Sequence, residues 1–216
     1  MSARHDIIAR VRHGVDKGDF AARRAEAEAW LAARQRGPQP APMGDLVARF
    51  RSRAESLAST VEAVPEPLAV PAAVARYLEA QGMAAVAVAA PGLSGYDWSG
   101  AGLEVALRPA VDADRVGITG CFCAIAETGT LMLLSGPQTP ATVSLLPETH
   151  VALVPVSRIV PTMEDAFGLL RAEHGDLPRA VNFVSGPSRT GDIEQTIVLG
   201  AHGPCRVHLI LIGEAS

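Results

Sequence analysis

Residues Val181–Pro204 read VNFVSGPSRTGDIEQTIVLGAHGP. The stretch opens as a buried strand, Ala180–Ser185. It breaks at Gly186-Pro187-Ser188-Arg189-Thr190-Gly191, a turn-forming run that carries hydroxyls and a guanidinium. Asp192 and Glu194 follow, then the apolar run Ile197–Leu199, then Gly200-Ala201-His202-Gly203-Pro204. Reactive side chains are thus packed between hydrophobic segments. In an α/β sheet, ligands bind where loops leave the carboxyl ends of strands. The loop after Ser185 is therefore expected to floor a site.

The flanking sequence supports that class. Upstream, Pro161–Glu173 predicts a helix. Thr162 is placed to cap it, Asp165 lies near its positive end, and Gly175 stands just past its last turn. Downstream, Val207–Ile212 predicts a strand that closes the sheet. Pro71–Gln81 predicts a helix that admits Pro71 in its first turn and stops at Gly82. Before it lies a short strand, Val61–Val64. After it comes Ala84–Ala90, a small-apolar run expected of a strand covered on both faces. That order predicts a parallel pair joined by a crossover.

Gly44–Ser59 predicts a further helix, with Leu46, Val47, Phe50 and Leu57 at helical spacing. Leu103–Leu107, Ser144–Leu146 and Val151–Pro155 read as short strands. Pro91–Gly102 reads as a loop holding Tyr96 and Trp98. The class is α/β, with a mainly parallel sheet and an antiparallel insertion around Leu103–Val156. Arg4–Arg36 reads as helical, with a thin stripe of Ile7, Ile8 and Val11. Gly37–Pro42 is a proline-broken linker. Residues 1–42 are thus an N-terminal helical arm with its linker, and residues 43–216 form the α/β domain.

Composition narrows the chemistry. The chain has 216 residues, 48% of them hydrophobic, and a net charge of -4. That balance carries no nucleic-acid footprint. No apolar run approaches the ~18 residues of a membrane span, and the N-terminus lacks a signal-peptide core. A cytoplasmic protein is expected. Lys17 is the one lysine among 19 basic residues, so a Schiff-base or phosphate-loop lysine is disfavoured. Acid–base work falls to Asp, Glu, His, Ser, Thr and Cys.

Glu127 lies in Glu127-Thr128-Gly129-Thr130, between the apolar segments Phe122–Ala126 and Leu131–Leu134. A carboxylate there must meet solvent, a cation or hydrogen-bond donors. It is a candidate general base or nucleophile, or else an acceptor of turn N–H groups. Arg189 offers a planar fork suited to a carboxylate or phosphate. Ser188, Thr190, Thr128 and Thr130 add hydroxyls to that anion-binding set. Alternatively, Arg189 pairs with Asp192, Glu194 or Glu127 and pins the loop. Asp192 and Glu194 can face the same way on an extended chain, as supporting carboxylates. His202, between glycines, is a candidate proton carrier or a structural histidine. No histidine spacing suggests a metal site, and Cys121 and Cys123 read as core packing.

Three segments carry a family resemblance: Ala124–Thr130, Gly186–Glu194 and Gly200–Pro204. They resemble the signature segments of the LUD (lactate-utilisation) domain family, most specifically over Gly117–Gly213. The resemblance implies a fold similar to the sugar-phosphate isomerase, CoA-transferase and formyltetrahydrofolate cyclo-ligase group, a Rossmann-like sheet with a small inserted part. It also implies a bacterial complex subunit that serves the oxidation of L-lactate to pyruvate beside iron–sulfur partner proteins. No cofactor is expected in this chain. Cys121, Cys123 and Cys205 do not make the four-thiolate pattern of a cluster. The ligand would be a small anion, such as lactate, pyruvate or a phosphate-bearing molecule, in a cleft of residues 127, 186–194 and 202. A free-standing CoA-transferase-like or cyclo-ligase-like enzyme using Glu127 is the alternative. A non-catalytic binding or regulatory module is a further one, and a homo-oligomer is compatible with each.

Overall fold

A computed structural model describes residues 3–15, 19–35, 37–38, 44–193 and 196–213. The chain divides into two units, Met1–Ala41 and Pro42–Ser216. The first unit holds α1 (Ala3–Val15) and α2 (Phe20–Ala33), so the expected helical stretch is split. Asp19 starts α2 by accepting the Ala21 and Ala22 N–H groups. The apolar stripe of Ile7, Ile8 and Val11 is exposed. The linker Gly37–Pro42 lies largely outside the described residues.

The second unit has four helices among the described residues: α3 (Leu46–Ser56), α4 (Val70–Ala80), α5 (Thr142–Leu145) and α6 (Met163–His174). Its strands are β1 (Thr60–Val64), β2 (Val86–Ala89), β3 (Glu104–Leu107), β4 (Val116–Gly120), β5 (Cys123–Ile125) and β6 (Thr130–Leu134). They continue with β7 (Thr149–Pro155), β8 (Ile159–Val160), β9 (Val181–Val184), β10 (Arg189–Ile193), β11 (Thr196–Leu199) and β12 (Arg206–Ile212).

The main sheet has six strands in the order β1-β12-β7-β4-β2-β3. Every neighbouring pair is parallel. A parallel sheet must be covered on both faces, and this one is. On one face, Ile118, Val151, Leu153 and Ile210 pack with Val70, Val74 and Leu78 of α4. On the other, Ala152, Val154, Leu209 and Leu211 meet Phe50 and Ala54 of α3, together with Ala124 and Leu131. Large side chains such as Ile118, Leu153 and Ile210 are almost wholly enclosed, each worth roughly 1.5–3 kcal/mol of burial.

Ala124 and Leu131 belong to a second, four-stranded sheet, β8-β5-β6-β9. β5 pairs antiparallel with β6, β6 antiparallel with β9, and β5 parallel with β8. Its outer face packs on α6 through Cys123, Ile125, Met132, Ala166 and Leu170. Thr162 caps α6 by accepting the Asp165 N–H at 3.3 Å, and Gly175 ends the helix, as the sequence predicts.

The class is the expected one, but several elements sit elsewhere. The antiparallel part is the hairpin Cys123–Leu134 with Val181–Val184 paired beside it, not Leu103–Val156, since β3, β4 and β7 all belong to the parallel sheet. β1 and β2 are parallel but not adjacent: β12, β7 and β4 lie between them. β12 fills the interior of the sheet instead of closing it. Ser144–Leu146 is not a strand, because residues 142–145 form α5. α5 lies flat on Gly117, whose missing side chain makes room for the Val143 carbonyl. β9 is not buried: it has one paired neighbour in its sheet, and Phe183 is 40% exposed. The run Gly186–Gly191 is only half a turn, since Arg189–Ile193 pairs antiparallel with Thr196–Leu199.

Candidate functional site

Two of the three segments singled out in the sequence meet at the end of α3, and the third is bonded to one of them. The turn Glu127–Thr130 joins β5 to β6. Opposite it, the chain leaves β9 through Ser185 and Gly186. Thr128 donates its hydroxyl to Thr130 Oγ1, and Thr130 Oγ1 bonds Ser185 Oγ, each at 2.7 Å. Gly129 and Gly186 both have positive φ, and both press on the last turn of α3 and its exit at Leu57. Arg189 donates from Nη2 to the Leu57 carbonyl at 3.2 Å. A cation beside the carboxyl end of a helix is electrostatically favoured.

The third segment joins through Ser188. Its N–H donates to the Pro204 carbonyl (2.9 Å), and its carbonyl accepts from Gly200 N–H (3.0 Å). His202 is exposed and lines an open hollow with Leu145, Glu148 and Cys205. Glu127 is half-buried, and its N–H donates to the Pro161 carbonyl at 3.0 Å. Thr190 is buried and Arg189 exposed. Among the described residues, neither Arg189 nor Glu127 has an ion-pair partner. Asp192 stands on β10 with its side chain undescribed, and Glu194 lies outside the described residues.

A separate cavity of about 280 Å³ opens at the carboxyl ends of β2 and β4. From β2 the chain continues to β3 on one side. From β4 it goes on, by way of the small sheet, to β7 on the other. That reversal is where α/β sheets hold ligands. Leu93, Phe122, Leu133, Leu134 and Pro140 form its apolar walls. Its rim is zipped by Gly92 N–H, which donates to the Gln138 carbonyl at 3.0 Å. One wall is braced by Arg158, whose Nε donates to the Phe122 carbonyl at 2.8 Å while its fork binds Glu173. That pairing holds the Glu173 carboxyl below its ordinary pKa.

At the inner end of the cavity lies Thr119, 3% exposed. Its Oγ1 is 2.7 Å from Nε2 of His150, which is wholly buried on β7. Among the described residues, Nδ1 of His150 has no partner. Burial pushes the imidazole down to about 4, so it is neutral at pH 7. Cys121 also lines the cavity, so it is more than core packing. Cys123 is fully buried, with its Sγ 3.7 Å from the Met132 sulfur. The three thiols do not converge. Cys205 donates to the Glu148 carbonyl, and among the described residues no group of three or more metal-ligating side chains forms.

The cavity escaped the sequence reading. Its walls come from five separate stretches of chain, and none forms a motif. One signal was available: His150 interrupts the apolar run of β7, and a polar residue in such a run must find a partner.

The LUD domain model matches residues 69–212 of this chain. The chain belongs to the LUD domain family. Several relatives carry the name Lactate utilization protein C. One, from Anoxybacillus flavithermus, is 41% identical over 103 residues, covering 48% of this chain and 46% of the relative. Another, from Bacillus subtilis, is 38% identical over 122 residues, covering 55% and 50%. The chain thus spans about half the length of the curated relatives it matches. A solved DUF162 family protein from Deinococcus radiodurans shares the fold, with a TM-score of 0.60 and 24% identity. That similarity covers 80% of this chain and all of the other.

The LUD match contains the cavity, the turn at Glu127 and the loop at Arg189. α3 lies before it. The end of α3 that both LUD-segment glycines press on is therefore supplied by sequence outside the matched region.

Proposed function

We propose that this chain is a cluster-free component of a cytoplasmic system that oxidises L-lactate to pyruvate. It works beside iron–sulfur proteins and binds a small anion at Arg189. The names of its relatives support the process. No helix among the described residues is long and apolar enough to cross a membrane. The observation that carries the site is the junction itself. Segments far apart in sequence are tied together at Thr130, Ser185 and Ser188, and Arg189 projects from that junction and donates to the Leu57 carbonyl. A guanidinium has five donors, and among the described residues only the Leu57 carbonyl accepts from it, which leaves the rest of the fork to a carboxylate or phosphate.

In this reading Glu127 and His202 supply acid–base groups near the anion, and the electron transfer belongs to the partners. The test begins with the purified chain, given lactate and an artificial electron acceptor, alone and then with iron–sulfur partners from the same cells. Turnover only in the mixture supports the proposal. Turnover by the isolated chain, lost in Glu127→Gln, would replace it with a free-standing enzyme. The anion site is tested by thermal shift in lactate, pyruvate and phosphate. A ligand at 100 times its dissociation constant adds about 2.7 kcal/mol to stability. Arg189→Gln should abolish that gain while leaving the unliganded midpoint close to wild type. A fall in the unliganded midpoint with no anion effect in either protein would make Arg189 a clamp on α3.

A further inference from the structure

We infer that the cavity at the carboxyl ends of β2 and β4 is a second binding site, for an uncharged and mostly hydrocarbon molecule that presents an acceptor oxygen to the Thr119 hydroxyl. Size is the first argument. At about 280 Å³, the space equals about nine water molecules at roughly 30 Å³ each. A three-carbon acid would leave most of it empty, whereas a substituted six-membered ring would fill it.

Charge is the second argument. Among the described residues that line the cavity there is no Asp, Glu, Lys or Arg. A carboxylate drawn inside would lose its water without gaining a cation, a costly transfer. His174 also lines the cavity, but it is exposed and edge-on to Phe122 at 5.5 Å, and the other polar side chains of the lining, Thr119, Gln138, Thr139, Ser144 and Asn182, are neutral. The site is thus chemically unlike the one at Arg189, and neither Arg189 nor Glu127 lines it.

The third argument comes from the buried imidazole. His150 has two tautomers when neutral. With the proton on Nδ1, a buried N–H would have no acceptor, because among the described residues Nδ1 has no partner. Orphaned buried N–H groups are rarer than unfilled acceptors. The proton therefore sits on Nε2 and is donated to Thr119 Oγ1, 2.7 Å away. The Thr119 hydroxyl then keeps its own proton to give. The bonds of the described residues use that hydroxyl only toward His150, and Thr119 lines the cavity. A ketone, ester or quinone oxygen is what such a donor selects.

A matched set of ring compounds tests this on the intact chain: acetophenone, its hydrocarbon isostere α-methylstyrene, and benzoate, each titrated by calorimetry. Acetophenone should bind roughly threefold to tenfold more tightly than α-methylstyrene, the worth of one hydrogen bond, and benzoate should bind least. Thr119→Val should erase the difference between the two neutral probes, and Thr119→Ser should restore it. Nitrogen NMR of wild-type His150 should show the proton on Nε2. No binding of either neutral ring, or tighter binding of benzoate, would overturn the proposed site. Equal affinity of the two neutral rings for the wild type, or a proton on Nδ1, would overturn the Thr119 donor, and both readouts hold even if a variant fails to fold.

Discussion

Gly186 lies so close to Leu57 that a Cβ built on it would run into the Leu57 carbonyl oxygen. Gly129 does the same to the turn above, where a Cβ would stand 2.5 Å from Ala54 N. Both hold positive φ, +77° and +68°. These glycines let the turn after Ile125 and the loop after β9 seat against one helix end. Gly186→Ala and Gly129→Ala are each expected to lose at least about 2 kcal/mol, from backbone strain plus overpacking. Gly82→Ala is the control: its φ is +66° but nothing lies within 4 Å, so only the strain of about 1–2 kcal/mol applies. Urea midpoints would measure all three. If Gly186→Ala costs no more than Gly82→Ala, the close approach is not what these glycines serve.

Two buried histidines should give the fold an acid-sensitive stability. Burial pushes both His150 and His208 down to about 4. His208 bonds Thr60 through Nδ1 at 2.8 Å and stacks on Tyr77 at 3.9 Å. In the unfolded chain a histidine titrates near 6.5. Between about pH 6.5 and 4 the unfolded chain binds more protons, so stability is full above that window and falls as pH drops through it. Each histidine is worth at most roughly 3 kcal/mol across the window. Unfolding free energies at pH 7, 6, 5 and 4 should show the decline. His150→Gln and His208→Gln should each remove about one proton from the slope. A slope unchanged in either variant would mean that its imidazole is protonated within the native fold.

The class of fold was open to sequence reasoning because β2, β7 and β12 are runs of small or branched apolar residues with predicted helices among them. The helix α6 was equally plain, since Thr162 and Gly175 mark its ends. Strand order was not, because β1 and β2 read as neighbours whichever strands insert between them. α5 was misread because Val143, Leu145 and Leu146 in so short a run fit either period. The three motif segments could be seen to matter, and their meeting at Thr130, Ser185 and Ser188 could not, since it depends on β6 pairing with β9. The cavity was hidden for a related reason. Its donor is Thr119 only because His150, three strands along in sequence but on the adjacent strand in space, has its ring beside it.

Gly117 holds α5 against the main sheet, where Ala141 and Ser144 at that helix form part of the cavity lining. A Cβ there would strike the Val143 carbonyl and the Pro147 ring. Gly117→Ala is expected to lift α5 and lose about 1–3 kcal/mol, the usual cost of overpacking. The effect should be local. Hydrogen exchange should quicken at the N–H groups of Val143, Ser144 and Leu146, which bond within that turn, while β12 on the far side of β7 keeps its protection. Uniform loss of protection would show that α5 is part of the global folding unit and not a separable lid on the sheet.

The thiol of Cys121 reports on the same cavity. Burial pushes it up to about 12, and that of Cys123 up to about 11, with Arg158 opposing both shifts. The reactive species is the thiolate. At pH 8 a thiol of pKa about 12 holds roughly a thousandfold less thiolate than an ordinary one near 8.5. Cys121 should therefore resist iodoacetamide in the folded protein by about that factor relative to free cysteine, although it lines an open cavity. Peptide mapping after timed alkylation would separate it from Cys123 and Cys205. Alkylation at the rate of free cysteine would mean that water fills the space around Cys121. The apolar wall assigned to Leu93, Phe122 and Leu133 would then not shield it.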